Sequence, residues 1–412
     1  MSNHIEGARH LPFFSELAGL EDDDASWRAV SAGLVVLRLV DAWIEEGAAA
    51  VVDDGWGMRS VEASIEEMPA GLPARAILRS IIDAIRTSDP SDMHAIAPRL
   101  MAYARALDLD AKWALAADVY ESIIAHVHPV EESDVAIAAH LRLGYCLRSM
   151  GALDDAARSY DAASAIAHDV DDMFGILRAQ IGAAKIALAR GNMPMAEQLL
   201  QDTIERASTR NDLVDVHAMA LQDRADVAYN RGRYDLSVEL AYSSLELTRD
   251  PVERDRLLGG IAGAFYMLGV RSAARDAYLV IEATTQEEYL RWSASINLME
   301  IAARDGSMPL FERYRRTLAT MPFPPAIEAQ YLLQVAESHE ALAQPEAAFA
   351  SAERARAIAE RFGFNQTAFA AEAVAARVRT RTTVSRVPEA AVPDSLKAIA
   401  STISEMRRLV PQ

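Results

Sequence analysis

The stretch from Leu143 to Ala167, LGYCLRSMGALDDAARSYDAASAIA, places small residues at Gly144, Gly151, Ala156 and Ala163 at fixed distances from Leu147, Leu153 and Tyr160. The arrangement recurs. Counted on Ala156, the equivalent positions are Ala116, Ala196, Ser237, Ala274, Phe311 and Ala348, in steps of 40, 40, 41, 37, 37 and 37 residues. A recurrence of this length constrains the fold more than any other feature. Each unit is one supersecondary element that cannot bury its apolar face alone, so neighbouring units must stack on one another.

Each unit reads as two amphipathic helices joined by a short turn, with Gly151, Gly191, Gly232, Gly269 and Gly306 at the joints. Glycine just past a helical run takes the left-handed conformation that ends a helix. The 412-residue chain is 51% hydrophobic but only 7% aromatic, and alanine, the best helix former, carries much of that apolar share. Alternating β-branched runs with Asn-Gly turns are missing, which points to an all-α protein. Small residues at Gly144, Ala156 and Ala163, with equivalents at Ala184, Ala225, Ala262, Ser244 and Ala355, let paired helices approach where they cross, while Leu147 and Tyr160 fill the space alongside. The sixth unit departs from the pattern, with Met299, Phe311 and Arg315 where small or apolar residues are expected.

The spacing His140-x2-Leu143-Gly144-x2-Leu147, then Ala156-x3-Tyr160, resembles the tetratricopeptide repeat (TPR) superfamily over about two thirds of the chain. The opening tryptophan of that pattern is absent, its closing proline is mostly missing (Pro129 approximates it), and the period is longer than the family's usual one. Long-period versions look like those of bacterial regulators and signalling proteins. The resemblance implies a right-handed α-solenoid of about seven TPR-like helix pairs, spanning residues 95–376. It also implies that the first helix of each pair lines a concave groove where ligands lie. On that register the groove residues are Arg105, Tyr145, Arg148, Arg178, Lys185, Gln222, Asp226, Tyr229, Asn230, Arg256, Tyr266 and Glu337. Arginine and tyrosine dominate interface hot spots, and Lys185 is one of only three lysines, with Lys112 and Lys397. The lysine, asparagine and arginine set with which chaperone-binding members grip a C-terminal carboxylate does not map onto this chain.

The flanks lie outside the repeat. Residues 1–94 are expected to form an acidic helical N-terminal cap that buries the open face of the first pair, and they leave a homodimer through this region open. Two helical patterns stand out there, ASWRAVSAGLVVLRLVDAWIEEG with Asp24 as its cap and LPARAILRSIIDAIR with Pro73 in its first turn. Glu21–Asp24 reads as a solvated helix start rather than a metal site. After a basic, proline-containing linker at 377–393, a C-terminal amphipathic helix at 394–412 sets Leu396, Ile399, Ile403, Met406 and Val410 along one face. It is expected to cap the last pair; the alternative is that it occupies the protein's own groove.

Net charge is −19, so nucleic acid and anionic membranes are not expected partners, and a protein or peptide is. The most apolar run is broken by Arg38, Asp41, Glu45 and Glu46. A single cysteine, Cys146, and no signal-peptide pattern fit the cytoplasm. No phosphate-binding loop, HExxH, G-x-S-x-G or paired CxxC motif is present, and His126 and His128 lack companion ligands. No catalytic residue, metal or cofactor is therefore expected. The sequence reads as a non-catalytic scaffold that binds a peptide or protein segment, or else as a ligand- or peptide-responsive regulator whose superhelix changes shape. Gly259, Gly260 and Gly263 fall inside one helix at a cost in helix propensity; a tight helix crossing is the first explanation and an opened groove the second.

Overall fold

The computed structural model describes residues 9–21, 24–47, 55–89, 93–380 and 388–410. It divides into two compact units, Met1–Ala207 and Ser208–Gln412. Helices are the only regular elements among the described residues, and none of them is long and apolar enough to cross a membrane.

In the first unit, α1 (Leu11–Leu17), α2 (Ala25–Glu46), α3 (Gly55–Glu66) and α4 (Pro73–Thr87) precede three helix pairs. These pairs are α5 and α6 (Ala97–Leu109, Trp113–His126), α7 and α8 (Ser133–Ser149, Leu153–Asp169), and α9 and α10 (Met173–Ala189, Met193–Ser208). Asp24 caps α2 by accepting from Ser26 N at 3.0 Å, and Pro73 opens α4, where its missing N–H costs nothing. Asp22 and Asp23 lie outside the described residues. One apolar cluster runs from Phe13 through Trp43, Ile81 and Tyr103 to Cys146, joining the four leading helices to the pairs that follow.

The second unit holds four more pairs: α11 and α12 (Val214–Asn230, Tyr234–Leu247), α13 and α14 (Pro251–Met267, Arg271–Thr284), α15 and α16 (Glu288–Arg304, Met308–Leu318), and α17 and α18 (Pro325–Ala341, Pro345–Phe362). A further helix, α19 (Asn365–Arg379), and the terminal α20 (Lys397–Leu409) follow. Within each unit a first helix touches both its own partner and the next first helix, so the first helices form one continuous layer. This is an all-α repeat of stacked helix pairs. The irregular sixth pair forms too: Met299 and Phe311 are fully buried, Phe311 lies edge-on to His339 at 5.1 Å, and Arg315 pairs with Glu312 at 2.8 Å.

The joints follow from backbone chemistry. Gly151, Gly191, Gly232, Gly269 and Gly306 all have φ between 74° and 82°. In each, the following N–H closes back on the helix, as when Ala152 N donates to Leu147 O at 2.9 Å. Ala111 and Ala343 take the same conformation at their own joints, with φ 57° and 58°. A side chain there is strained by roughly 1 kcal/mol. Ala111→Gly and Ala343→Gly are therefore each expected to raise stability by up to about 1 kcal/mol, read as a higher thermal midpoint.

The C-terminal helix takes neither of the placements expected from the sequence. It packs on α14, in the second-helix layer two pairs before the last, and the turn Asp394–Leu396 reaches α12. Leu396, Ile399 and Ile403 are buried, as the stripe requires. The segment before it is tied down by Ala390 N donating to Gly269 O at 3.0 Å and by Ser272 N donating to Glu389 Oε1 at 2.6 Å. That second bond satisfies a free amide at the start of α14. The physical reason for this placement lies in α14 itself. It buries Ala274, Ala277, Tyr278 and Ile281 at positions that other second helices also bury, and in addition Ala273 and Val280, whose equivalents on α12 and α16 are less buried.

Candidate functional site

A concavity in the second unit brings several of the groove residues together. Gln222, Asp226 and Tyr229 stand at helical spacing on α11, Arg256, Gly259, Gly260 and Gly263 on α13, and Ser237 and Ala241 on α12. Together they line a hollow of about 280 Å³. The glycines of α13 follow Gln222, Asp223 and Asp226 of α11 at the 37-residue step, so one helix has lost the side chains that its neighbour presents at the same register.

The tight crossing expected at these glycines is not there. A Cβ added at Gly260 would meet nothing within 4 Å, and at Gly259 only Ile281 Cδ1 at 3.9 Å. At Gly263 it would meet Tyr229 Cε2 and the Tyr278 hydroxyl, both at 3.9 Å, and the Tyr229 hydroxyl at 4.0 Å. All of these are ordinary van der Waals distances, so alanine would fit. The glycines hollow out the layer of first helices instead. Close crossings occur elsewhere, at Gly144 and Gly182, where a Cβ would stand 2.8 and 2.4 Å from the Tyr160 ring.

The hollow's lining is largely apolar and backbone, with Gln222, Asp226, Tyr229, Ser237 and Arg256 as its polar side chains and little uncompensated charge among them. Arg256 pairs with Glu253 at 2.7 Å, and Asp226 lies exposed at the rim with interactions of its own. Tyr229 rests edge-on against Tyr234, with ring centres 5.2 Å apart. Burial raises the Tyr229 phenol, helped by Tyr234, and raises the Tyr278 phenol further, helped by Glu300 and Tyr229. Both therefore remain protonated hydrogen-bond donors at neutral pH.

The remaining sequence-derived groove residues fall elsewhere. Asn230 is exposed at the end of α11, outside the hollow. Tyr266 and Glu337 belong to a polar ladder along α13, α15 and α17. There the Tyr266 hydroxyl donates to Glu300 Oε1, and Arg304 Nη2 lies 3.3 Å from the same oxygen. In the orientation that satisfies its neighbours, the Gln334 amide donates to Glu300 Oε2 at 2.9 Å and Glu337 Oε2 at 3.2 Å. Burial raises the Glu337 carboxyl, with Glu300 adding to the effect. In the first unit, Arg105 holds Asp108 at 3.1 Å, Arg148 covers the Tyr145 ring at 5.5 Å, and Arg178 covers Phe174 at 5.7 Å. Lys185 is half-buried on α9.

Sequence reasoning overlooked Tyr278, Glu300 and Arg304. Tyr278 occupies the repeat's aromatic position and was indistinguishable from a core residue; the other two gave no signal beyond ordinary helix charge. The sulfur of Cys146 is buried, and that burial pushes its thiol up to about 12, which leaves it inert. His126 Nδ1 sits 2.7 Å from Ser122 O, and His128 Nδ1 accepts from Glu131 N at 3.2 Å, so both are engaged in their own turn.

No family model matches the sequence, and no curated protein matches it. Among solved structures the chain is similar to the apo form of the quorum sensor NprR from B. thuringiensis, with 13% identity and a TM-score of 0.48 over 84% of this chain and 92% of that one. It is also similar to the Rap conjugation gene regulator of the plasmid pLS20 in complex with the Phr* peptide, with 11% identity and a TM-score of 0.48 over 80% and 97%. The C-terminal part of a TPR repeat-containing protein from Cytophaga hutchinsonii matches with 15% identity and a TM-score of 0.38, over 63% and 95%. The helix pairs described above, rather than these distant likenesses, establish the fold.

Proposed function

We propose that this protein is a non-catalytic scaffold of the cytoplasm that holds a peptide or protein segment against its layer of first helices. The observation that carries the reading is the hollow of the second unit. It brings Gln222, Asp226, Tyr229 and Arg256 together around a face of α13 stripped of side chains. Such a surface offers hydrogen bonds and close approach to a chain, without a nucleophile set beside a base. The test is capture of partners from the native cell lysate by the immobilised full chain and by a Gln222→Ala/Tyr229→Ala variant, quantified by mass spectrometry. A partner held by the first and lost by the second, with helicity unchanged, is the expected result. Partners retained equally by both would place binding outside the hollow.

One observation favours the regulatory version of this reading. The C-terminal segment packs on α14 and touches α12, the two second-layer helices that also contribute Tyr278, Ser237 and Ala241 beside or within the hollow. A ligand that shifts α12 or α14 alters the seat of α20. Hydrogen exchange across 397–409 is then expected to change when the captured partner binds; unchanged exchange would leave a constitutive scaffold.

A further inference from the structure

We propose that the hollow selects an extended peptide at a residue with a small side chain (glycine, alanine or serine), and that the hydroxyls of Tyr229 and Tyr278 both donate to one main-chain carbonyl of that ligand. This deepens the peptide-binding reading above and rests on it.

Four features of the site lead there. First, glycine in a helix interior is destabilising, and it is retained where another backbone must come close. Three glycines face one hollow on α13, none of them is required by a neighbouring helix, and all would accept a Cβ without a clash. What their absent side chains provide is room along the helix for a second chain.

Second, two phenol hydroxyls converge on one point. Both lie 3.9–4.0 Å from the place a Gly263 Cβ would occupy, Tyr278 is 6% exposed, and neither hydroxyl has a hydrogen-bond partner among the described residues. Neither hydroxyl is shut off from water, so both are open donors, and a ligand acceptor beside Gly263 takes the place of solvent at both.

Third, the charge at the rim separates a neutral acceptor from an anionic one. Arg256 is the one arginine in the lining and is already paired with Glu253, so a carboxylate or phosphate finds no open countercharge there. A peptide carbonyl is neutral and needs none. The Gln222 amide, which both donates and accepts, is suited to the N–H and C=O of the same extended strand.

Fourth, a volume of about 280 Å³ lies at or below the lower limit of pockets that enclose a whole small molecule. It suits one or two small residues of a longer segment that continues past either end.

The test uses the full chain, immobilised and panned with a phage-displayed random heptapeptide library. Enriched peptides are then made with a fluorescent label and titrated by anisotropy against the wild-type protein and against Gly263→Ala and Tyr278→Phe. Enriched sequences are expected to share a small residue at one position. Gly263→Ala and Tyr278→Phe should each weaken binding about tenfold or more, the first without lowering the melting temperature. Replacing the shared small residue of the peptide by valine should weaken binding to the wild type to a similar degree. Peptides that bind all three proteins equally, or that show no small-residue position, overturn this proposal and leave peptide binding standing. If no peptide is enriched at all, both fall together.

Discussion

Gly182→Ala lowers stability by about 1–3 kcal/mol, whereas Gly260→Ala raises it by up to about 1 kcal/mol. The two replacements are chemically identical and both lie inside first helices, α9 and α13. What differs is the neighbour. A Cβ at Gly182 would stand 2.4 Å from both Cδ1 and Cε1 of Tyr160 and 2.7 Å from Cγ, the atom of the ring nearest its backbone. The ring has little room to retreat, because the residue is only 6% exposed and α7 also lies against it at Gly144, where an added Cβ would stand 2.8 Å from Cε1 and Cζ. Tyr160 is therefore the peg on which α7, α8 and α9 meet, and both glycines exist to receive it. At Gly260 nothing lies within 4 Å, so alanine brings only its better helix propensity. Hydrogen exchange of each unit measures the two effects separately, which matters because the chain has two compact units. Combining Gly182→Ala with Tyr160→Leu should cost less than the sum of the two, since the clash needs both partners. Strict additivity would mean that the ring is not what holds Gly182.

Those glycines also show where sequence reasoning stops. The 37- to 41-residue step, the helix pairs and the left-handed glycines at the joints are local properties, and each was readable because it depends on residues adjacent in the chain. A glycine within a helix gives the same signal whether an aromatic ring presses on it or nothing does. The ring that explains Gly182 is 22 positions away, and at Gly259, Gly260 and Gly263 there is none. The apolar stripe of α20 was legible for the same reason that its seat was not. Leu396, Ile399 and Ile403 state that one face is buried, but the receiving stripe on α14 is mostly alanine and sits in a helix already accounted for by the repeat. Of the twelve candidate groove residues, Gln222, Asp226, Tyr229 and Arg256 meet around one hollow because they lie on facing stripes of two adjacent first helices. Tyr266 and Glu337 share that layer but turn toward Glu300 and its neighbours, a choice made by partners on other helices.

His10→Ala is expected to cost about 3–5 kcal/mol and to remove the alkaline limb of the stability profile. His10 takes a left-handed conformation, φ 60°, just before α1, and is 5% exposed. Its Nδ1 lies 2.6 Å from Asp118 Oδ2 on α6, and its Nε2 lies 3.1 Å from Asp41 Oδ2 on α2. Both ring nitrogens can donate only when the imidazole is charged. Burial lowers its pKa, but the hydrogen bonds and charges of Asp118 and Asp41 outweigh that and raise it from 6.5 to about 9. Arg9 joins the cluster at 3.4 Å from Asp41 and also pairs with Glu45, Phe13 lies edge-on to the imidazole at 6.3 Å, and Glu121 is raised by burial and by Asp118. A histidine raised in the folded state stabilises it fully below its ordinary value of 6.5, and the contribution, on the order of 3 kcal/mol, is lost as pH climbs through about 9. Asp41 runs the other way: although burial raises it, His10 and Arg9 hold it below its ordinary value, so its contribution is present above that value and is lost as pH falls through the depressed one. The staple between α1, α2 and α6 is therefore strongest from about pH 5 to pH 7 and weakens on both sides. Removing the imidazole leaves two largely buried aspartates without their shared cation, and the slope between about pH 7 and pH 9 disappears because the group that titrates there is gone. Hydrogen exchange of 25–46 and 113–126 across that range reads the effect directly. An unchanged slope in His10→Ala would show that another group carries the alkaline limb, and full stability at pH 7 would show that the two carboxylates do not need the imidazolium.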